Sequence, residues 1–186
     1  GRLAGLEVLR IINEPTAAAL AYGLGSKDRG TVAVYDLGGG TFDVSAVEFR
    51  NGDLVVKATD GDRNLGGADV NNLMLKNALD AFKAEHGIEI TAESDLSTYV
   101  DVREKCETAK KTLSQATTAS FVISAEGKRL IIDITRAEFE TMIAPIIEKT
   151  REITIRAMQA AGLEYRDIRD VLLAGGSTRI PAVREM

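Results

Sequence analysis

The stretch Asp36-Leu37-Gly38-Gly39-Gly40-Thr41-Phe42-Asp43 decides how these 186 residues are read. Before it, Thr31-Val32-Ala33-Val34-Tyr35 is short, apolar and β-branched; after it, Val44-Ser45-Ala46-Val47-Glu48-Phe49 alternates. Both flanks predict strands, so the glycines form the turn of a hairpin. Three consecutive glycines bring bare backbone N–H groups close to whatever lies above the turn, and such a concave row of donors suits phosphate oxygens. Asp36 ends the first strand and Asp43 opens the second. A carboxylate beside phosphates is unfavourable unless a divalent cation lies between them. Mg²⁺ fits, because it keeps most of its waters and takes one or two carboxylates. Thr41 adds a hydroxyl next to the amides. A plain glycine-rich hairpin with solvated acids is the competing reading.

Upstream, Glu7-Val8-Leu9-Arg10-Ile11-Ile12 reads as a strand. Asn13 is the expected N-cap of a helix that carries Pro15 in its first turn, runs through Ala17 to Tyr22 and stops at Gly23 to Gly25. Glu14 falls at the strand-to-helix junction, where functional sites of open α/β sheets gather; its simpler reading is an acid complementing the helix dipole. Downstream, Asn51-Gly52-Asp53 is a tight turn and Leu54 to Thr59 a third antiparallel strand. The polar loop Asp60-Gly61-Asp62-Arg63-Asn64 follows. Leu65-Gly66-Gly67 then leads into a helix beginning near Asp69, and two glycines before a helix N-terminus offer a second phosphate contact. That helix runs to about Glu85 and closes at His86-Gly87, with His86 read as structural.

Residues 86–95 are a polar connection and 96–114 the next helix. Leu96, Tyr99, Val102, Cys106, Ala109 and Leu113 form its apolar stripe. Glu107, Lys110, Lys111 and Ser114 share another face, whose simplest content is a solvated Glu–Lys pair. Thr117 to Ser124 and Lys128 to Ile134 alternate around Ala125-Glu126-Gly127-Lys128, a second hairpin. Ala137 to Ala161 is long and amphipathic, with Phe139, Met142, Ile143, Ile146, Ile147, Ile153 and Met158 facing in. Pro145 is expected to kink it or to begin a new helix. Asp167 to Asp170 turns into the strand Val171-Leu172-Leu173-Ala174, and Gly175-Gly176 meets a helix starting near Ser177 or Thr178. Strand, double glycine and helix start again make a ligand-approach geometry, with Arg179 beside it.

Composition narrows the function classes. Apolar residues make up 45% and charged residues 27%, ordinary for one globular core. The net charge of −5 argues against a nucleic-acid or anionic-membrane surface as the main partner, and the absence of Trp argues against a base-stacking platform. No run of eighteen apolar residues and no signal peptide is visible, so a cytoplasmic chain is the expectation. One Cys and one His are too few for a zinc site or an internal disulfide.

The Asp-Leu-Gly-Gly-Gly-Thr-Phe-Asp stretch resembles the second phosphate loop of the seventy-kilodalton heat-shock proteins, the DnaK-type chaperones. Ile12-Asn13-Glu14-Pro15-Thr16-Ala17-Ala18-Ala19 and Gly175-Gly176-Ser177-Thr178-Arg179-Ile180-Pro181 match further motifs in the right order. With Leu65-Gly66-Gly67 and Glu107-Thr108-Ala109-Lys110, the resemblance covers essentially the whole chain. It implies an α/β, actin-like ATPase (ribonuclease H-like) fold, a mixed sheet with flanking helices plus a small α+β outer lobe. Residues 1–67 would be the first part of the core lobe, 68–134 the outer lobe, and 135–186 the return to the core. Neither the family's earlier glycine-rich phosphate hairpin nor its hydrolytic lysine lies in these residues, nor do the second connecting helix and the peptide-binding domain. A partial domain of a longer protein is therefore expected, with Met186 falling inside a helix.

The resemblance also implies roles. ATP or ADP with Mg²⁺ would be the cofactor. Asp36 and Glu14 would order the waters of Mg²⁺ and the attacking water, and Gly38, Gly39, Gly40 and Thr41 would hold β- and γ-phosphate oxygens, with Gly67 nearby. Glu107, Lys110 and Ser114 would line the adenosine side, and Lys111 stands where the family often carries an arginine stacked on adenine. Gly175, Gly176, Ser177 and Arg179 would hold adenosine, with Arg179 on the base. Ala68 stands where most members carry glutamate, so any contact from that acid is absent. Implied partners are a nucleotide-exchange factor, a J-domain cochaperone and, through the missing domain, unfolded client proteins. Hydrolysis would belong to the parent chaperone, with these residues alone inactive. Two alternatives stand beside it, a small-molecule kinase of the same superfold and a non-catalytic module gripped by an exchange factor.

Overall fold

The computed structural model describes residues 1–22, 30–50 and 53–186. Six strands are present among them: β1 (Gly30–Leu37), β2 (Phe42–Arg50), β3 (Asp53–Asp62), β4 (Thr118–Ala125), β5 (Lys128–Thr135) and β6 (Ile168–Ala174). The helices are α1 (Glu14–Ala21), α2 (Gly67–His86), α3 (Leu96–Leu113), α4 (Arg136–Ala160) and α5 (Pro181–Glu185), with 3-10 turns at Arg2–Ala4, Tyr165–Asp167 and Gly176–Arg179. The chain divides into two compact units. One is Gly1–Asp36, Asp43–Asp62 and Glu152–Ala174; the other is Leu37–Phe42, Arg63–Arg151 and Gly175–Met186.

The first unit is built on a sheet of order β3-β2-β1-β6. The glycine turn joins β1 to β2 as the sequence predicts. β6, more than a hundred residues later in the chain, runs parallel to β1, with Val34 opposite Leu172 and Asp36 opposite Ala174. Ala19, Val32, Val34, Val47, Phe49 and Leu172 form its core, with Ala18, Leu54 and Val56 packed against them. Small alanines let α1 lie close on the strands, while β-branched residues fill the pleat. Tyr22, just past α1, donates its hydroxyl to the Leu173 carbonyl at 2.7 Å. Asn13 caps α1 in extended geometry, without a side-chain bond, and Pro15 occupies the first turn. The expected stops at Gly23 to Gly25 and the turn residues Asn51 and Gly52 lie outside the described residues. β3 begins at Asp53 and extends to Asp62, beyond the expected Thr59.

One strand expectation fails. Glu7–Ile12 has no regular structure, and Leu9 and Ile11 are 86% and 88% exposed. An apolar, β-branched run becomes a strand only when another strand supplies its ladder, and none among the described residues does so.

In the second unit, α2 ends as expected at Gly87, whose φ of +71° is the left-handed cap. His86 is structural: its Nε2–H donates to the Arg129 carbonyl at 3.1 Å, and its ring meets Phe82 edge-on. α3 starts on Asp95, which accepts the Thr98 amide at 3.0 Å. Val102, Cys106, Ala109 and Leu113 are buried along one face, whereas Leu96, on the first turn, is exposed. β4 and β5 pair antiparallel, with Ala125 opposite Lys128. Between them Glu126 and Gly127 both have positive φ, as a tight two-residue hairpin requires. Thr135 and Glu138 form a reciprocal capping box at the start of α4. Segment 68–134 lies wholly within this unit.

Pro145 does not start a new helix: one helix runs from Arg136 to Ala160 with Pro145 inside it. Phe139, Ile143, Ile146, Ile147, Ile153 and Met158 are buried along the helix, and burial at roughly 1.5–3 kcal/mol per large apolar side chain outweighs the ~3 kcal/mol that an interior proline costs. The helix expected near Ser177 is also shifted. Gly176–Arg179 is a 3-10 turn, and α5 begins only at Pro181.

Cys106 is fully buried, and burial pushes its thiol up to about 11. At pH 8 only about a thousandth of such a thiol is ionised. Native protein is therefore expected to react with a thiol-specific disulfide reagent at least ~100-fold more slowly than the same protein in denaturant. Equal rates would show that Cys106 is accessible.

Candidate functional site

Within the first unit, three carboxylates converge where β1 ends, β2 begins and α1 starts. Asp36 is partly buried, and its pKa is raised above the usual carboxylate value. Burial is the main cause, followed by the charges of Glu14 and Asp43 and a side-chain hydrogen bond with Glu14. Strand-end placement of Asp36 and helix-start placement of Glu14 thus set two acids against each other. Repulsion of that kind is relieved by a proton or by a cation. Among the described residues no group of three or more Asp, Glu, His or Cys side chains is arranged to ligate an ion directly. The cluster suits a hydrated ion reached through water, as Mg²⁺ prefers.

Within the second unit, the turn Gly38–Thr41 and the residues around α3 and the Gly175 loop build a cleft of about 640 Å³, within the range of small-molecule and cofactor pockets. Gly39, Glu107, Lys110, Lys111, Ser114, Gly176, Ser177 and Arg179 line it, together with Gln115, Ile180 and Arg184. Four cationic side chains face one acid there, in a chain of net charge −5. Lys111 and Glu107 pair at 2.7 Å, both substantially exposed, and this pairing holds the Glu107 carboxyl below its usual range. Lys110 differs from Lys111. Its ammonium donates to the Gly67 carbonyl at 3.2 Å, and burial lowers its pKa. Ser114 donates back to the Lys110 carbonyl at 3.3 Å. Gly175 turns the chain with φ of +83°, and its carbonyl accepts the Thr178 hydroxyl at 2.7 Å.

The start of α2 does something the sequence did not indicate. The amides expected to await a phosphate are already committed. Gly67 N–H donates to the Gly38 carbonyl at 3.0 Å, Ala68 N–H to the Gly39 carbonyl at 2.6 Å, and Gly66 N–H to Asp69 at 2.8 Å. Gly66 has to be glycine for closeness, since a Cβ there would stand 2.7–2.9 Å from the backbone of Gly39 and Gly40. In the turn itself, Gly38 N–H donates to the Thr41 carbonyl at 3.0 Å. The amides of Gly39, Gly40 and Thr41 take no acceptor among the described residues.

A family model described as "Hsp70 protein" matches residues 1–186. The chain belongs to the Hsp70 family. It is similar to the "Mitochondrial-type heat shock protein 70" of Encephalitozoon cuniculi (strain GB-M1), with 46% identity across the whole of this chain. It spans about a third of that relative, 32% of its length. Membership accounts for the mixed α/β architecture and for the glycine turn at its centre. Among the described residues no helix is long and apolar enough to cross a membrane.

Gln115, Ile180 and Arg184 are the cleft residues that sequence reasoning passed over. For Gln115 a signal existed, because it lies four residues beyond Lys111 and eight beyond Glu107. Ile180 and Arg184 carried none, since only the 3-10 turn and the short α5 bring them to the cleft.

Proposed function

We propose that this Hsp70 chain is an ATP-binding portion of a chaperone ATPase with the actin-like fold, in which residues 68–134 form the outer lobe. The observation that carries the reading is the cleft beside Gly39, where four cations face one acid. A polyanion with an adenosine-sized body fits that lining. The amides of Gly39, Gly40 and Thr41 would donate to phosphate oxygens, on a turn anchored by Gly38. Arg179 and Lys110 would hold the adenosine end, with Glu107, Lys111, Ser114, Gly175, Gly176 and Gly67 shaping the wall. Asp36 and Glu14 would hold Mg²⁺ through its waters, and the ion would neutralise phosphate charge. Asp36 and Glu14 would then position the attacking water, because phosphoryl transfer asks chiefly for positioning and charge stabilisation. Exchange factor, J-domain cochaperone and client proteins are partners of the same proposal, as is a cytoplasmic location.

A kinase of the same superfold would transfer the phosphoryl group to a small molecule. In a full-length Hsp70 chain carrying these residues, ATP turnover is expected to release inorganic phosphate at a rate independent of added sugars. ADP production that requires a sugar and yields no free phosphate would replace the chaperone reading with the kinase one.

A further inference from the structure

The hydroxyl of Ser177 lies 3.0 Å from the carbonyl oxygen of Gly38, 139 residues earlier in the chain. A carbonyl only accepts, so Ser177 donates. The same oxygen also accepts the Gly67 amide at 3.0 Å, and the next carbonyl, that of Gly39, accepts the Ala68 amide at 2.6 Å. Three donors from two distant segments therefore grip two successive carbonyls of the glycine turn. A trans peptide is planar, and its C=O and the following N–H point in opposite directions. Holding the Gly38 and Gly39 carbonyls toward Ser177 and α2 turns the Gly39 and Gly40 amides the other way. Those two amides take no acceptor among the described residues.

We infer that Ser177 is a positioning residue for the phosphate-bearing part of the ligand, acting through the Gly38–Gly39 peptide rather than by touching nucleotide. This rests on the nucleotide reading above. Three glycines in a row have many accessible conformations, and a preorganised row of donors requires that they be fixed before the anion arrives. Ser177 is buried, 7% exposed, so its hydroxyl has little access to water as a substitute partner. Gly67 is coupled to the same contact: a Cβ there would stand 2.6 Å from the Ser177 hydroxyl oxygen and push it from the Gly38 carbonyl.

The test compares ADP with adenosine as probes on a full-length Hsp70 chain carrying these residues. Ser177→Ala should weaken ADP by roughly three- to tenfold, the worth of one hydrogen bond, and leave adenosine within about twofold. Gly67→Ala should also weaken ADP, and in the Ser177→Ala background it should weaken ADP by less than it does alone, because both changes break one contact. Equal losses for adenosine and ADP would overturn the inference by making Ser177 a direct contact to the nucleoside, and no loss for either would overturn it too. A parent chain that binds neither probe would instead remove the nucleotide reading, and this inference with it.

Discussion

Asp36→Asn, in a full-length Hsp70 chain carrying these residues, should lower ATP hydrolysis by about 100-fold or more while changing ADP affinity by less than about tenfold. The carboxylate is proposed to act on the hydrated ion and the water, which matter most as charge develops, so its loss falls on turnover. The same substitution should make the ligand-free fold more stable at pH 7. The Asp36 pKa is raised, first by burial and then by Glu14 and Asp43. The folded state therefore binds the proton more tightly than the unfolded chain does. Stability associated with this group is fully present below the unfolded value near 3.8 and is lost as pH rises through the raised folded value. Asn removes that loss, so the melting temperature should rise at pH 7 and not below pH 3.8. Equal losses in turnover and ADP affinity would contradict the role in hydrolysis. A lower melting temperature at pH 7 would contradict the repulsion.

Arg179→Ala and Lys110→Ala should each weaken ATP and ADP by similar factors, about ten- to a hundredfold, as expected for losing a charge-assisted hydrogen bond to the ligand. Equilibrium titration with both nucleotides measures it. Lys111→Ala should do far less. Its ammonium is mostly exposed and already paired with Glu107, an arrangement worth a few tenths of a kcal/mol. Lys110 is half-withdrawn from water and anchors the Gly67 carbonyl, so its loss also loosens the start of α2. A variant of Arg179 or Lys110 with normal affinity for both nucleotides and slowed turnover would place that residue in the chemistry instead.

What could be read in the sequence was local. The hairpin at Gly38–Gly40 was legible because two alternating runs meet at residues that only a turn wants. The stripe of α3 was legible because 3.6-residue spacing places Val102, Cys106, Ala109 and Leu113 on one side. What could not be read depended on partners far away in the chain. Glu7–Ile12 has strand propensity and no neighbouring strand. The two glycines at Gly66-Gly67 looked like a free anion site; their amides proved to be spent on Asp69 and the Gly38 carbonyl. Ser177 carried a hydroxyl that spacing could not aim at Gly38. That no new helix begins at Pro145 could not be read for a related reason, since helix propensity is a local quantity and the burial of apolar residues along α4 is not. For the candidate site, motif and spacing pointed to the glycine turn and one face of α3, while only the fold brought Gln115, Ile180 and Arg184 to the same cleft.

Calorimetric titration of the 186-residue chain with ADP, alongside phosphate release from ATP, bears most directly on the central claim. The cleft of the second unit is proposed to supply the adenosine contacts, while the family's first phosphate hairpin is not among these residues. Binding should therefore be saturable but weak, with dissociation constants from tens of micromolar upward, weakened further by Arg179→Ala and accompanied by negligible turnover. No saturable binding, or affinity untouched by Arg179→Ala, would contradict the assignment of the cleft to adenosine. Tight binding with turnover comparable to an intact chaperone would contradict the division of the phosphate cradle.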